Sequence, residues 1–288
     1  AINRILTSER DVVAGAVRPS GKATVVDGGY RIEGHWPFVS GCQHATSMCV
    51  GCVIHDGDEP RLDEAGRPDV IYCYVPAKEV TILDTWYTTG LKGTGSHDIE
   101  IKGCTIPADH AVRLFAETGD DGEMSPILKA PGLSLLFHAA VILGMGRHAI
   151  DIATEYLKDK TGARGTKVAR DAQLQAAIAQ AEAKVGSARS YMMEVLTDIC
   201  GAFDRGEEIS MRQRALCRLA ISNAHRESVA AVNILFDIGG GSFSYAKNGM
   251  DRVLRDIRTG NQHIVADYKT FEFAGRMLMG QPPGDMMF

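Results

Sequence analysis

Short apolar runs separated by turn residues fill the first third of the chain, and long runs with apolar residues three and four apart fill the rest. Val12–Ala14, Ala23–Val26, Tyr30–Phe38, Met48–Ile54, Val70–Val75, Val80–Leu83 and Ile99–Ile106 are rich in β-branched and aromatic residues. Pro19-Ser20-Gly21, Asp27-Gly28-Gly29, Asp56-Gly57-Asp58 and Glu64-Ala65-Gly66 separate them. The spacing predicts a small antiparallel barrel or sandwich. After Pro107 the period changes. Leu128–Lys160 (interrupted at Pro131-Gly132), Ala169–Arg205, Ser210–Leu235 and Asp251–Met279 (broken near Gly260) read as helices. Four long helices with short connections predict an antiparallel four-helix bundle. The expected fold class is therefore α+β in two domains, a β domain over 1–115 and a helical bundle over 116–288.

Asp27-Gly28 between two β runs is a hairpin signal, and its second arm ends in Gly34-His35-Trp36-Pro37-Phe38-Val39-Ser40-Gly41. An indole, a phenyl ring, a hydroxyl and a glycine backbone in one place suit a flat heteroaromatic ligand; equally, the aromatics could fill a core. Gly90-Leu91-Lys92-Gly93-Thr94-Gly95-Ser96-His97-Asp98 is either a β-turn or a loop whose N–H groups approach a ligand. It is not a phosphate loop of the Walker kind, because the order of Lys and Ser is wrong and a strand follows it. Gly239-Gly240-Gly241 exceeds what a helix cap requires. Arg252, Arg255 and Asp256 share a helical face, as an ion-pair network or a subunit contact. His263 is the titrating side chain of that region suited to proton handling near neutrality.

Composition narrows the classes. The 288 residues carry 31 Lys and Arg against 36 Asp and Glu, with no basic run of the kind that follows nucleic acid or an anionic membrane. No apolar run reads as long enough to span a bilayer, and no signal-peptide pattern opens the chain. Seven scattered cysteines suit a reducing cytoplasm. Cys49-x-x-Cys52 with Cys42 and His44 is rejected as a metal site, because strand positions three apart face opposite ways.

Several motifs in order resemble the acyl-CoA dehydrogenase fold superfamily. They are Trp36-x-Phe38-x-Ser40-Gly41, Asp84-Thr85-Trp86, Gly90–Ser96, the exit Cys104-Thr105-Ile106-Pro107, Gly144–Ala149, Asp237–Gly240 and Arg252-x-x-Arg255-Asp256. Trp36–Gly41 with His44, together with Gly93-Thr94-Gly95-Ser96, is most similar to the two-component flavin monooxygenases of the hydroxyphenylacetate and steroid-phenol type. Where many acyl-CoA dehydrogenases carry a catalytic glutamate, this chain reads Thr259-Gly260-Asn261-Gln262-His263. The resemblance implies that a separate flavin reductase supplies reduced FMN or FAD, bound between the β domain and the bundle. Reaction with O2 then hydroxylates an aromatic or similar small substrate through a C4a-hydroperoxyflavin. It implies His263 and Ser40 as catalytic residues, and Trp36, Phe38, Val39, Ser40, Gly41, Gly239, Gly240, Gly241 and Arg255 as cofactor contacts. His44 and Ser96 fall to the substrate, no metal is expected, and a homotetramer is. The superfamily's N-terminal helical domain has no counterpart here, so the chain is expected to be a fragment of a longer protein. A dehydrogenase of acyl thioesters, with Glu272 as base, and a non-catalytic tetrameric scaffold are the alternatives.

Overall fold

The computed structural model describes residues 5–64, 66–113, 135–162 and 165–282. They fall into two compact units: one runs to Thr88 and resumes at Lys92, the other holds Thr89–Leu91 and the helices. The expected boundary at 115/116 and the start of the first predicted helix, 128–134, lie outside the described residues, as does Ala65 of the predicted 64–66 turn.

The first unit is one eight-stranded sheet: β1 (Val13–Val26), β2 (Gly29–Val39), β3 (Ser47–Asp56), β4 (Glu59–Pro60), β5 (Val70–Pro76), β6 (Thr81–Leu83), β7 (His97–Pro107) and β8 (Ala111–Val112). Strand order is β6-β7-β2-β1-β3-β5-β8, with β4 on β3. The hairpin forms where its sequence places it: Val26 pairs with Gly29, and Gly28 alone of the two turn residues takes a positive φ, +73°. Two expectations are corrected. The sheet is not wholly antiparallel, because β1 and β3 run parallel. Pro19-Ser20-Gly21 does not end a strand; β1 continues through it with a register shift between Ala16 and Gly21. Proline has no N–H to give a ladder, so it is accommodated where the pairing slips.

Alternation sets the core. Ile71, Cys73 and Val75 point inward from β5, and Ile32, Trp36 and Val39 from β2, into one cluster with Met48, Val50, Cys52 and Ile54. Trp36 is fully buried and its indole N–H donates to the Gly51 carbonyl at 2.8 Å. Gly21 and Gly34 make room for it, since a Cβ on either would lie 3.0 Å or less from the indole. Trp36→Ala should cost about 3–5 kcal/mol by emptying the largest buried side chain. Urea denaturation checks this.

The second unit contains α1 (Leu136–Asp159), α2 (Ala172–Asp204), α3 (Met211–Gly239), α4 (Met250–Gly260) and α5 (Lys269–Leu278). Asp171 caps α2 by accepting from Gln173 and Leu174 N–H, and Ser210 with Gln213 forms a capping box on α3. The inward stripes are rich in alanine (Ala139, Ala149 and Ala153 on α1; Ala181 and Ala188 on α2; Ala220, Ala224 and Ala231 on α3), which lets helices pack closely. Gly146 sits where α1 meets Val185 of α2 and Ser228 of α3. The predicted fourth long helix is instead two short ones, separated at Asn261–Tyr268. By length and composition α1 could cross a membrane, which corrects the reading that no run is long enough. Its Arg147 and Asp151 are ion-paired, and Ile142, Ile150 and Leu157 enter the core of the helical unit.

Candidate functional site

In the β unit, chemistry gathers where β2 ends. Phe38 has a positive φ of 62°, a sparsely populated conformation for a non-glycine residue. The resulting twist breaks alternation: Trp36 and Val39 point inward while Phe38 stands 68% exposed. Its ring meets Trp86 edge-on at 6.3 Å. Ser40, exposed, lies 2.7 Å from the Ser96 hydroxyl, which lies 2.6 Å from that of Thr94. Ser96 itself is buried, so the three hydroxyls form a short ladder with its outer rung in solvent. The loops that carry it are stitched together. Gly41 N–H donates to the Thr94 carbonyl at 2.8 Å, and the Cys42 thiol donates to the Gly95 carbonyl. Thr85 and Trp86 N–H both donate to His97 Nδ1 at 3.2 Å.

Each expected residue of this unit can now be placed. Phe38, Ser40 and Gly41 share the turn with Ser96 behind them. His44 is exposed and hydrogen-bonded through its backbone to Gly41. Trp36 and Val39 are fully buried, so the expectation that they line a cofactor is corrected: they anchor the turn from within. Sequence reading singled out neither Trp86 as the partner of Phe38 nor His97 as the post that fixes the Thr85–Trp86 backbone.

The helical unit corrects two more expectations. Gly239 is buried, and a Cβ there would fall 2.0 Å from the Phe243 ring. It exists for packing, not for a cofactor. Because Phe243 is itself fully buried, Gly239→Ala should destabilise by about 1–3 kcal/mol, read as a fall in Tm. Gly240 takes φ +59° and ψ −157°, open in practice only to glycine, and caps α3; nothing lies within 4 Å of a Cβ on Gly240 or Gly241. Arg255 is committed to Asp251 at 2.8 Å and to the Thr89 carbonyl at 2.8 Å, so it is not a free cation for a phosphate. Its neighbour Asp256 accepts from Leu91 N–H at 2.6 Å, while Arg252 is exposed. Arg255 and Asp256 thus hold Thr89–Leu91.

His263 begins the turn after α4. Its Nδ1 accepts from Val265 N–H at 3.3 Å, which leaves the proton of the neutral ring on Nε2. Burial and the nearby Arg218 charge hold its pKa below the ordinary imidazole value. His138 stacks on it at 4.1 Å, and His225 stacks on His138 at 5.1 Å. Burial first, then neighbouring imidazoles, push His138 down to about 4 and His225 down to about 3. Both are neutral when folded near neutrality, whereas in the unfolded chain they protonate near 6.5. The unfolded state therefore binds more protons below that value. Stability should be full above about pH 6.5 and fall toward pH 4 and then 3, with a slope of up to about 1.4 kcal/mol per pH unit for each histidine. Urea midpoints against pH, flattened in His225→Leu, check this.

Comparison with known proteins agrees with this picture. Residues 136–268 match the family described as acyl-CoA dehydrogenase, C-terminal domain. Over 96% of its length the chain is 29% identical to the oxygenase subunit HsaA of a flavin-dependent monooxygenase from Mycobacterium tuberculosis, covering 71% of that protein. It is 27% identical to an indole-3-acetate monooxygenase from Pseudomonas putida, over 94% of this chain and 68% of that one. The structure of XiaF from a Streptomyces species, solved with FADH2 and glycerol, superposes with a TM-score of 0.82 at 20% identity, over 99% of this chain and 73% of that one. Residues 136–268 thus match the acyl-CoA dehydrogenase C-terminal domain, in a chain that is similar along nearly its whole length to flavin-dependent monooxygenases.

Proposed function

We propose that this protein is the oxygenase component of a two-component flavin-dependent monooxygenase. It takes FMN or FAD reduced by a separate flavin reductase and, with O2, hydroxylates an aromatic or similar small molecule. One oxygen atom enters the product and the other leaves as water. The observation that carries the reading is His263: its neutral Nε2–H donor lies in the segment where the sequence resemblance expects the carboxylate base of an acyl thioester dehydrogenase. Glu272, the alternative base, is exposed in the first turn of α5.

The residues fit a flat redox ring. Phe38 offers an exposed ring and Trp86 a half-buried one set edge-on to it, and the Ser40–Ser96–Thr94 ladder offers an oriented hydroxyl for a ring nitrogen. Beside that hydroxyl the turn stays uncrowded, because Gly41 carries no side chain and the space a Cβ would take there is open. Bound reduced flavin supplies the two electrons that activate O2. The protein's part is to hold a proton at Ser40 Oγ, to keep water from the ring with Phe38, and to donate from His263 Nε2 to an oxygen of the substrate. Gly240 and Gly241, with the Lys160–Ser242 hydrogen bond beside them, would meet the cofactor's polar end. His44 is proposed as a substrate contact.

The sheet is assigned to the barrel class, and the helices to a four-helix bundle in which α4 and α5 together take the fourth place. A homotetramer is supported by the apolar side chains left exposed on the helical unit: Phe137, Val141, Tyr268, Phe271 and Met279. A cytoplasmic location is supported by seven free cysteines. Anaerobic titration with reduced FMN and FAD tests the function. Saturable binding of the reduced form, tighter than that of the oxidised form, is expected; binding of neither would contradict it.

A further inference from the structure

We propose that His138 and His225 are positioning residues: stacked in a column behind His263, they fix the angle of its imidazole and so the direction in which Nε2–H points. This rests on the reading of His263 as a hydrogen-bond donor.

The column joins three separate parts of the helical unit. His225 lies in the middle of α3, fully buried, on the helix that gives Ile221 and Ala224 to the core. His138, in the first turn of α1, lies against it with planes 15° apart, and its Nδ1 is 3.2 Å from His225 Nε2. His263, on the segment after α4, closes the column with its ring 30° from that of His138. A single proton between His138 and His225 therefore sets the orientation of His138, and His138 is the plate against which His263 rests.

The choice of residue is the telling point. A leucine at 225 would fill the same place and leave no polar atom behind. Histidine instead leaves its Nδ1 without a hydrogen-bond partner among the described residues. A buried group kept at such a cost is one that holds something in place. The charged and titratable groups acting on the column are Arg218, two turns before His225 on α3, and the three imidazoles themselves. Arg218 opposes a positive charge on His263, and burial opposes one on the two inner rings. The outer ring is thereby kept neutral, and Val265 N–H takes its Nδ1 lone pair. His263 then has one face stacked and one nitrogen occupied, and Nε2–H is the group left to act.

The test combines a spectroscopic readout with a catalytic one. In the wild-type protein, 15N NMR of the imidazoles should show His263 as the Nε2–H tautomer, and His138 and His225 neutral well below the usual imidazole range. In His138→Ala the outer ring gains water, so its titration should move up toward the ordinary value. His225→Leu should leave substrate KM nearly unchanged while product formed per O2 consumed falls about tenfold, because the donor is misaimed rather than removed. His225→Gln, which can still bond His138 Nδ1, should recover most of that loss. Unchanged titration and coupling in folded variants would overturn the proposal. If the leucine variant does not fold, the wild-type spectrum decides: an Nδ1–H tautomer of His263, or ordinary titration of His225, overturns it. Absence of flavin binding alongside the expected spectra counts against the monooxygenase reading alone and supports the column.

Discussion

His263→Ala should lower product formation by about 100- to 1,000-fold while reduced flavin binds as before. The reasoning starts from one hydrogen bond. Val265 N–H points at His263 Nδ1, so the neutral ring can donate only through Nε2. Removing it takes away the donor proposed to act on the substrate oxygen and changes no residue of the hydroxyl ladder. His263→Asn is the sharper comparison, because an amide restores a donor without a titrating group. It should recover part of the rate and flatten the acid limb of the pH profile. That limb follows from the direction of the histidine's shift: its pKa is lowered, so the ring becomes charged only below the usual imidazole range, and activity should hold through neutrality and fall on acidification. Parallel steady-state assays and reduced-flavin titrations check both statements. Equal loss of flavin binding and turnover would make His263 a structural residue.

Ser40→Ala should shift the outcome of oxygen consumption from product to hydrogen peroxide, raising the peroxide share roughly tenfold, an effect worth about 1.4 kcal/mol. Ser40 is the outer rung of three hydroxyls held 2.7 and 2.6 Å apart. Such a chain orients each proton, and the inner rung, Ser96, is buried and cannot swing out to replace it. Ser96→Ala should therefore produce a similar change without touching the exposed hydroxyl, because Ser40 loses the partner that aims it. Peroxide and product measured in one reaction separate the cases. An unchanged ratio in both variants would remove the ladder from the chemistry.

Much of this architecture was legible in the sequence because short-range rules wrote it. Asp27-Gly28 produced a hairpin, the change of period after Pro107 marked the passage from sheet to helices, and the three-and-four spacing from Ser210 marked α3. The site was less legible, for local reasons. Trp36 and Phe38 are two apart and would share one face in a regular strand; the positive φ at Phe38 and the register shift between Trp36 and Val39 send one inward and the other out. Gly239 resembled a ligand-binding glycine, but its cause stands four residues on, in the Phe243 ring. Arg255 resembled a phosphate ligand, yet Asp251, one turn before it, takes its charge. The histidine column had no sequence signal, since His138 and His225 are 87 residues apart on different helices. Pairing across that distance is a property of the packed helices.

The most direct test of the central claim is to supply the protein with substrate candidates, chemically reduced FMN or FAD, and 18O2, and to weigh the product. The account predicts one 18O atom in a hydroxylated aromatic product and one in water, with reduced flavin consumed in equal amount. Oxidation of an acyl thioester with no 18O in the product would contradict it.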